Sequence, residues 1–295
     1  MKHFMALSLA ITYLCAVVPN GVSEEPGSEV RSKVVMASEV EWKPLNPLRG
    51  NKGPQAGTLW GDQTGTGASG FLVKFVDGFS SPPHIHNITY RGVVISGGLF
   101  NGDPKGEPMW MRTGSYWTQP VGQPHITAAR GPSVAYVEIQ EGPYLVLPTE
   151  KATDNGERPI NLDASNIVWL DASSTSWIDQ PAQASSAVGP EIAFLWGKPQ
   201  KDQISGTLIK LPAGFAGKIQ TPDSTFRAVV IQGQPQVKAS GQADAKTMAP
   251  GSYFSSQNKA EHQIACEAED GCMIYVRTKG KFNILQSTQP GSDQK

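Results

Sequence analysis

One spacing pattern, which holds three of the chain's five histidines, constrains this sequence more than any other feature. Gly78 is followed after five residues by His84 and His86, and a second segment passes through a Pro-Val-Gly turn at 120–122 to His125. Side chains alternate along a strand, so the two residues of a His-x-His pair project to the same face. Three imidazoles held together leave coordination positions open on a bound ion, as catalytic metal sites do. The pattern predicts a metal site made of these three histidines.

The surroundings of this pattern recur about 136 residues later. His262 occupies the place of His125, but Gln220 and Pro222 replace the paired histidines. The matches keep their order and nearly constant spacing, which indicates duplication of one unit. We therefore expect one metal site, with His262 as a buried polar remnant. The matching segments are 59–61 with 195–197, 69–74 with 205–210, 89–97 with 225–233, and 114–116 with 251–253.

The composition favours short strands over helices. The chain has 31 glycines and 23 prolines among 295 residues, and these punctuate short runs of β-branched and aromatic residues. Such runs with frequent turns are typical of an all-β sandwich or barrel. We expect a first unit over 34–148, a linker over 149–166, a second unit over 167–285 and a disordered tail over 286–295.

The net charge and the N-terminal residues of the chain restrict its binding partners and its cellular location. The net charge is −1 and the chain has no basic block, which argues against nucleic-acid binding. Residues 1–23 have a basic start, an apolar run and a small-residue end, so they are predicted to be a cleaved signal peptide. The apolar run is shorter than a membrane span requires, and an uncleaved anchor is the alternative. We therefore expect a periplasmic or secreted protein with no membrane span after cleavage.

Two cysteines remain after such a cleavage, Cys266 and Cys272. They flank a short polar segment that ends in glycine, which predicts a hairpin whose strands bring the sulfur atoms together. In an oxidising compartment a disulfide is expected, and two free buried thiols are the alternative.

The histidine pattern resembles the two motifs of the cupin superfamily, and nearly the whole mature chain is similar to two-domain bacterial cupins of the DUF4437 type. Six spaced positions of this chain agree with those two motifs. Tyr90 stands where cupins carry a glutamate ligand, and Ala129 stands where the second motif ends in asparagine. The resemblance implies two double-stranded β-helix (jelly-roll) domains, packed as an intramolecular pair, with a mononuclear metal at the three histidines. The resemblance is also compatible with a homodimer.

The missing glutamate affects the choice of metal and ligand. Three neutral imidazoles leave the charge of a divalent ion uncompensated, so the site is expected to attract an anionic or bidentate oxygen ligand. Imidazole donors favour one divalent transition metal and disfavour magnesium and calcium. Iron and zinc are the preferred candidates, and nickel and copper are alternatives.

Two residues are weaker candidates for catalysis. The Tyr90 hydroxyl could act beside the metal, but its counterpart Phe226 favours simple packing. Glu138 could point into the barrel as an acid or base, whereas its counterpart Arg277 favours a solvent-exposed face.

Two functions remain open from the sequence. The first is an exported metal-dependent enzyme, dioxygenase-like or hydrolytic, that acts on a small anionic or dicarbonyl-like molecule. The second is a non-catalytic metal-dependent module that binds or senses a small molecule. A cavity at the metal would favour the enzyme, whereas a solid apolar core there would exclude it.

Overall fold

The computed structural model of the protein describes residues 32–46, 50, 52–179, 181, 188–221 and 224–287. The predicted signal peptide and residues 288–295 of the predicted tail lie outside these residues. The all-β prediction is confirmed, since the described chain forms strands with only short 3-10 segments such as Ala37–Glu39. No helix in the described part has the length and apolar character needed to cross a membrane.

The first half of the chain contributes one large sheet and one small one. Its strands are β1 (Ser32–Val35), β2 (Lys43–Pro44), β3 (Gln55–Trp60), β4 (Ser69–Phe75), β5 (Ile85–His86), β6 (Tyr90–Gly102), β7 (Tyr116–Gln119), β8 (Ile126–Ile139), β9 (Val146–Leu147) and β10 (Ile160–Leu162). The seven-stranded sheet has the order β10-β7-β6-β8-β4-β3-β2, and β5 pairs with β9 beside it. The pairings are antiparallel.

The second half contributes two six-stranded sheets, one of which includes β1. Its strands are β11 (Ile178–Asp179), β12 (Glu191–Gly197), β13 (Ile204–Leu211), β14 (Phe215–Thr221), β15 (Phe226–Gln232), β16 (Gln236–Lys238), β17 (Lys246–Thr247), β18 (Tyr253–Ser256), β19 (Ala260–Cys266), β20 (Cys272–Lys279) and β21 (Asn283–Gln286). One sheet has the order β1-β18-β15-β20-β13-β12, and the other β11-β21-β14-β19-β16-β17. Gln286, assigned to the tail from sequence, ends the last strand and pairs with Gly217.

Two short strands complete the edges of larger sheets, and one of them, β1, crosses between the halves. Strand β1 pairs with β18 of the second half, where Val34 lies opposite Phe254. Strand β10, inside the segment assigned to the linker, pairs with β7 of the first half, where Asn161 lies opposite Trp117. Each of these strands satisfies the backbone hydrogen bonds of an edge that would otherwise be exposed. The predicted domain boundaries themselves stay a prediction.

The two halves pack through equivalent residues. Each half has a tryptophan whose indole N–H donates to a tyrosine hydroxyl, and an arginine of the other half lies over that tryptophan. Trp60 donates to the Tyr136 hydroxyl at 3.0 Å, and the Arg227 guanidinium lies 4.2 Å from the centre of the Trp60 ring. Likewise, Trp196 donates to the Tyr275 hydroxyl at 2.9 Å, and the Arg91 guanidinium lies 4.3 Å from the centre of the Trp196 ring. The recurring arginines therefore stabilise the pairing of the halves.

One pair of equivalent positions breaks this symmetry. The Arg277 guanidinium donates to Glu138 at 3.2 Å, with side chains only 4% and 1% exposed. The Tyr136 hydroxyl donates to the same carboxylate at 3.0 Å, and Arg277 also donates to Gln140 at 2.9 Å. Glu138 thus forms a buried ion pair between the halves, and the solvent-exposed alternative predicted for it is wrong.

The interior of the second half is filled with apolar side chains. Residues from both of its sheets, such as Ile209 and Phe215, belong to one buried cluster. His262 lies within this core, stacked 5.4 Å from the Phe226 ring, and its two ring nitrogens are hydrogen-bonded to the Ser256 hydroxyl and the Ser240 backbone N–H. Such a histidine is a satisfied core residue, in line with the expected remnant.

The two cysteines are joined, although not across a hairpin. Cys266 and Cys272 form a disulfide. Cys266 ends β19 and Cys272 begins β20, but these strands belong to different sheets. The predicted hairpin is wrong because the chain passes from one sheet to the facing sheet at this turn, and the disulfide links the two layers.

Candidate metal centre

The three predicted histidines lie together in the first half. One ring nitrogen from each of His84, His86 and His125 lies within 4.8 Å of the others. His86 belongs to β5, and the backbones of His84 and His125 exchange two hydrogen bonds of 3.0 Å. A short antiparallel bridge therefore fixes the ligand from the second motif against the pair from the first.

The turn before His125 depends on a glycine. Gly122 has a φ of +73°, which L side chains rarely adopt, and its N–H donates to the His86 carbonyl at 2.9 Å. A Cβ at this position would lie 2.0 Å from the Thr153 hydroxyl. The glycine of the second motif thus allows the turn to pack closely beneath the site.

Backbone carbonyls orient all three imidazoles. In each ring Nδ1 lies within hydrogen-bond distance of a carbonyl oxygen: His84 to Pro82 at 2.9 Å, His86 to Leu145 at 2.9 Å and His125 to Gln123 at 3.1 Å. A carbonyl can only accept, so Nδ1 carries the proton in each ring. Nε2 is then the nitrogen that each ring would present to a metal, since the other ring N–H of a metal-bound histidine usually donates to a backbone carbonyl or a carboxylate.

Burial keeps two of these rings neutral. It lowers the pKa of His86 well below its usual value, with further lowering from His125 and His84. Burial, followed by the proximity of His84, lowers the pKa of His125 to about 3. Because metal ligands must be unprotonated, these imidazoles are ready to bind a cation near neutral pH.

The Tyr90 hydroxyl lies beside the histidines rather than in simple packing. It is 3.2 Å from His125 Nε2 and 2.9 Å from the Asn101 side-chain oxygen. Thr127 also donates to that oxygen, and the Asn101 amide donates to Gln119. Burial raises the pKa of Tyr90, which therefore remains a neutral phenol. A hydrogen-bond donor thus stands where cupins usually carry the glutamate.

A second tyrosine, not predicted from the sequence, completes the surroundings. The Tyr144 ring stacks on His86 at 4.4 Å, and its hydroxyl lies 3.3 Å from His86 Nε2. Asn87 fixes this segment by donating to the Pro143 carbonyl and accepting from Leu145 N–H. Tyr144 belongs to neither motif and follows His86 by 58 residues, so no local sequence signal identifies it.

A cavity of about 540 Å³ opens at His84 and His86. Strands of the large sheet form its walls through Val73, Leu99 and Val137. Its volume falls within the range of small-molecule sites. The first half therefore differs from the second, whose described interior is packed with apolar side chains.

The donor set fits a transition metal that prefers imidazole. Within the described residues, no carboxylate or thiolate joins the three histidines in the cluster. Glu138 is not among the described residues that line the cavity, and Cys266 and Cys272 lie in the other half. Three Nε2 lone pairs and an adjacent cavity would give a bound divalent ion open positions.

Comparisons with solved structures agree with this architecture. The chain is similar to a candidate dioxygenase from Nostoc punctiforme, with 15% identity, a TM-score of 0.61 and coverage of 88% of this chain and 87% of that one. It is also similar to the protein Ylba from E. coli (14% identity, TM-score 0.55, 84% and 90% covered) and to AerE from Microcystis aeruginosa (11%, 0.51, 81% and 97%). At these identities the similarity shows the fold alone.

Sequence comparison identifies the family. The domain of unknown function DUF4437 matches residues 33–285, whereas no curated protein matches the chain. The chain therefore belongs to the DUF4437 family, and its three clustered histidines could hold a metal ion.

Proposed function

We propose that this DUF4437 protein is an exported metal-dependent enzyme whose active site is the three-histidine centre of its first half. The substrate would be a small anionic or dicarbonyl-like molecule. The metal would be one divalent transition ion, and iron and zinc are the preferred candidates. The observation that carries the proposal is the cavity that opens at His84 and His86. A site with only a structural role needs no such space.

The residues around the centre have separate roles in this proposal. His84, His86 and His125 would hold the ion through Nε2, while the carbonyls at Nδ1 fix their orientation. A bound ion would supply Lewis-acid chemistry and, in the case of iron, redox chemistry. Tyr90 and Tyr144 remain protonated, because burial raises the pKa of both phenols. The Tyr144 hydroxyl can donate to a substrate oxygen held at the open positions, whereas the Tyr90 hydroxyl already donates its proton to Asn101.

The similarity to the Nostoc punctiforme structure makes an oxygen-dependent reaction the first to test. A hydrolytic reaction is the second, because three-histidine zinc sites activate water. The absence of an ionised acid or base among the described lining residues favours chemistry that needs little proton transfer from the protein.

The alternative is a module that binds or senses a small molecule without turnover. The same absence of an acid or base supports it, since general acid–base catalysis requires such a group. Both functions need the metal and the cavity, so they differ only in whether a bound ligand is converted.

Turnover assays on the purified mature protein test this choice. Protein loaded anaerobically with Fe(II) or with Zn(II) would be incubated with a panel of β-dicarbonyl compounds, hydroxy acids and esters. We expect oxygen uptake with iron, or product release with zinc, and at least about a hundredfold loss in His125→Ala because a ligand is missing. The matched control is His262→Ala, which should keep its activity. Binding without turnover for either metal would favour the sensing alternative.

Export is proposed on two features. Residues 1–23 have the composition of a signal peptide, and the Cys266–Cys272 disulfide suits an oxidising compartment. Expression of the full chain in a bacterium, followed by cell fractionation and mass measurement, should yield a mature form that starts near residue 24 in the periplasm or medium. Recovery of the full-length chain in the cytoplasm would contradict export.

A further inference from the structure

We infer that the cavity at the histidines selects a molecule with one metal-binding oxygen head and an uncharged, apolar body of about ring size. This inference rests on the proposed function and narrows its substrate class. It excludes molecules with a second charge far from the metal-binding head.

The first support is the absence of charge. No lysine, arginine, aspartate or glutamate is among the described residues that line the cavity. A second carboxylate on a ligand would therefore lose its hydration without gaining an ionic partner there. Moving an unpaired charge from water into such surroundings is strongly unfavourable.

The second support is the distribution of the polar groups. Ser81 lies 3.3 Å from His84 Nδ1, Tyr144 3.3 Å from His86 Nε2 and Tyr90 3.2 Å from His125 Nε2. Asn101 and Thr127 are linked to Tyr90 by hydrogen bonds. Apart from the exposed Asn46, the polar side chains of the lining are thus gathered at the histidines, so most hydrogen-bond partners for a ligand lie at that end.

The third support is the apolar remainder of the wall. Phe75 and Phe79, whose rings are 5.4 Å apart, line the cavity together with Trp117. Leu145 and Val146 also line it, and their side chains are 43% and 59% exposed. An apolar wall that continues to an exposed apolar rim favours the entry and burial of an apolar body.

Three hydroxamates that share one metal-binding head test the inference. The mature protein loaded with Co(II) would be titrated with acetohydroxamate, benzohydroxamate and 4-carboxybenzohydroxamate, followed by the visible spectrum of the ion and by calorimetry. We expect benzohydroxamate to bind at least about tenfold more tightly than acetohydroxamate, because its ring is buried. We expect 4-carboxybenzohydroxamate to bind at least about tenfold more weakly than benzohydroxamate, because its carboxylate has no partner.

A charge-adding variant provides a second readout. Leu147 lines the cavity and is only half-buried, so Leu147→Arg should fold, which circular dichroism and cobalt content would verify. This arginine should improve binding of 4-carboxybenzohydroxamate relative to benzohydroxamate by about tenfold. Leu147→Gln is the matched uncharged control and should not improve the relative binding of 4-carboxybenzohydroxamate.

The outcomes separate the inference from the proposed function. If the parent protein binds no cobalt, or if no hydroxamate changes the cobalt spectrum, the proposed function fails and the inference fails with it. If cobalt and the hydroxamates bind but the apolar ring gives no advantage, or the carboxylate probe binds as tightly as benzohydroxamate, the inference alone is overturned.

Discussion

Lowering the pH from 7 to 5 is expected to reduce the free energy of unfolding of the metal-free protein by about 2 kcal/mol for each buried histidine whose pKa is lowered. Burial holds the pKa of His125 at about 3 and that of His262 at about 4, and lowers that of His86 well below 6.5. In the unfolded chain these groups titrate near 6.5. The unfolded state therefore binds more protons at pH 5, and stability present above pH 6.5 is lost as the pH falls.

Urea unfolding of the metal-free protein at pH 7 and pH 5 measures this loss. His125→Gln is the informative variant, because it removes one titrating group and should reduce the difference between the two pH values by about 2 kcal/mol. Its lower stability at pH 7 does not matter, since only the difference is compared. Equal unfolding free energies of the parent at both pH values would contradict the neutral, buried state of these histidines.

Arg277→Met is expected to lower the free energy of unfolding by about 3–5 kcal/mol, because it removes the ion-pair partner of the buried Glu138 carboxylate. Glu138 accepts from Arg277 at 3.2 Å, and the remaining polar contact to its carboxylate, from Tyr136, is neutral. The methionine retains the apolar stem between the two halves, so the loss reports on charge rather than on volume.

Two further variants isolate that effect. The double variant Glu138→Gln with Arg277→Met removes both charges and should recover most of the lost stability. Arg227→Met removes another arginine from the same interface, 4.2 Å above Trp60, and should cost only about 1 kcal/mol. A loss in Arg277→Met no larger than that in Arg227→Met would show that the ion pair does not stabilise the pairing of the halves.

The sequence predicts the all-β class and the cluster of three histidines because both depend on local rules. Strand periodicity places His84 and His86 on one face, and the spacing around the Pro-Val-Gly turn directs His125 towards them. The repeated segments at 69–74 and 205–210 form equivalent strands, β4 and β13, as expected. Such features need only short-range geometry and can be recognised in a single sequence.

The features that the sequence misses depend on contacts between distant segments. Tyr144 reaches His86 because β9 pairs with β5, and Glu138 is buried because the second half places Arg277 against it. The cysteines illustrate the same limit, since their close spacing suggests a hairpin although their strands lie in different sheets. Alternation along a strand gives the face of a residue, but not what the rest of the chain packs against it.

Metal content per chain tests the account most directly. The mature parent, His125→Ala and His262→Ala would be purified in parallel, reconstituted with Fe(II) or Zn(II), desalted and analysed for bound metal together with protein concentration. The two variants remove equivalent histidines from the two halves, so each controls for the other. We expect about one ion per chain in the parent and in His262→Ala, and almost none in His125→Ala, because only His125 shares its site with two other imidazoles. Equal metal in both variants, or none in the reconstituted parent, would contradict a three-histidine metal centre in the first half.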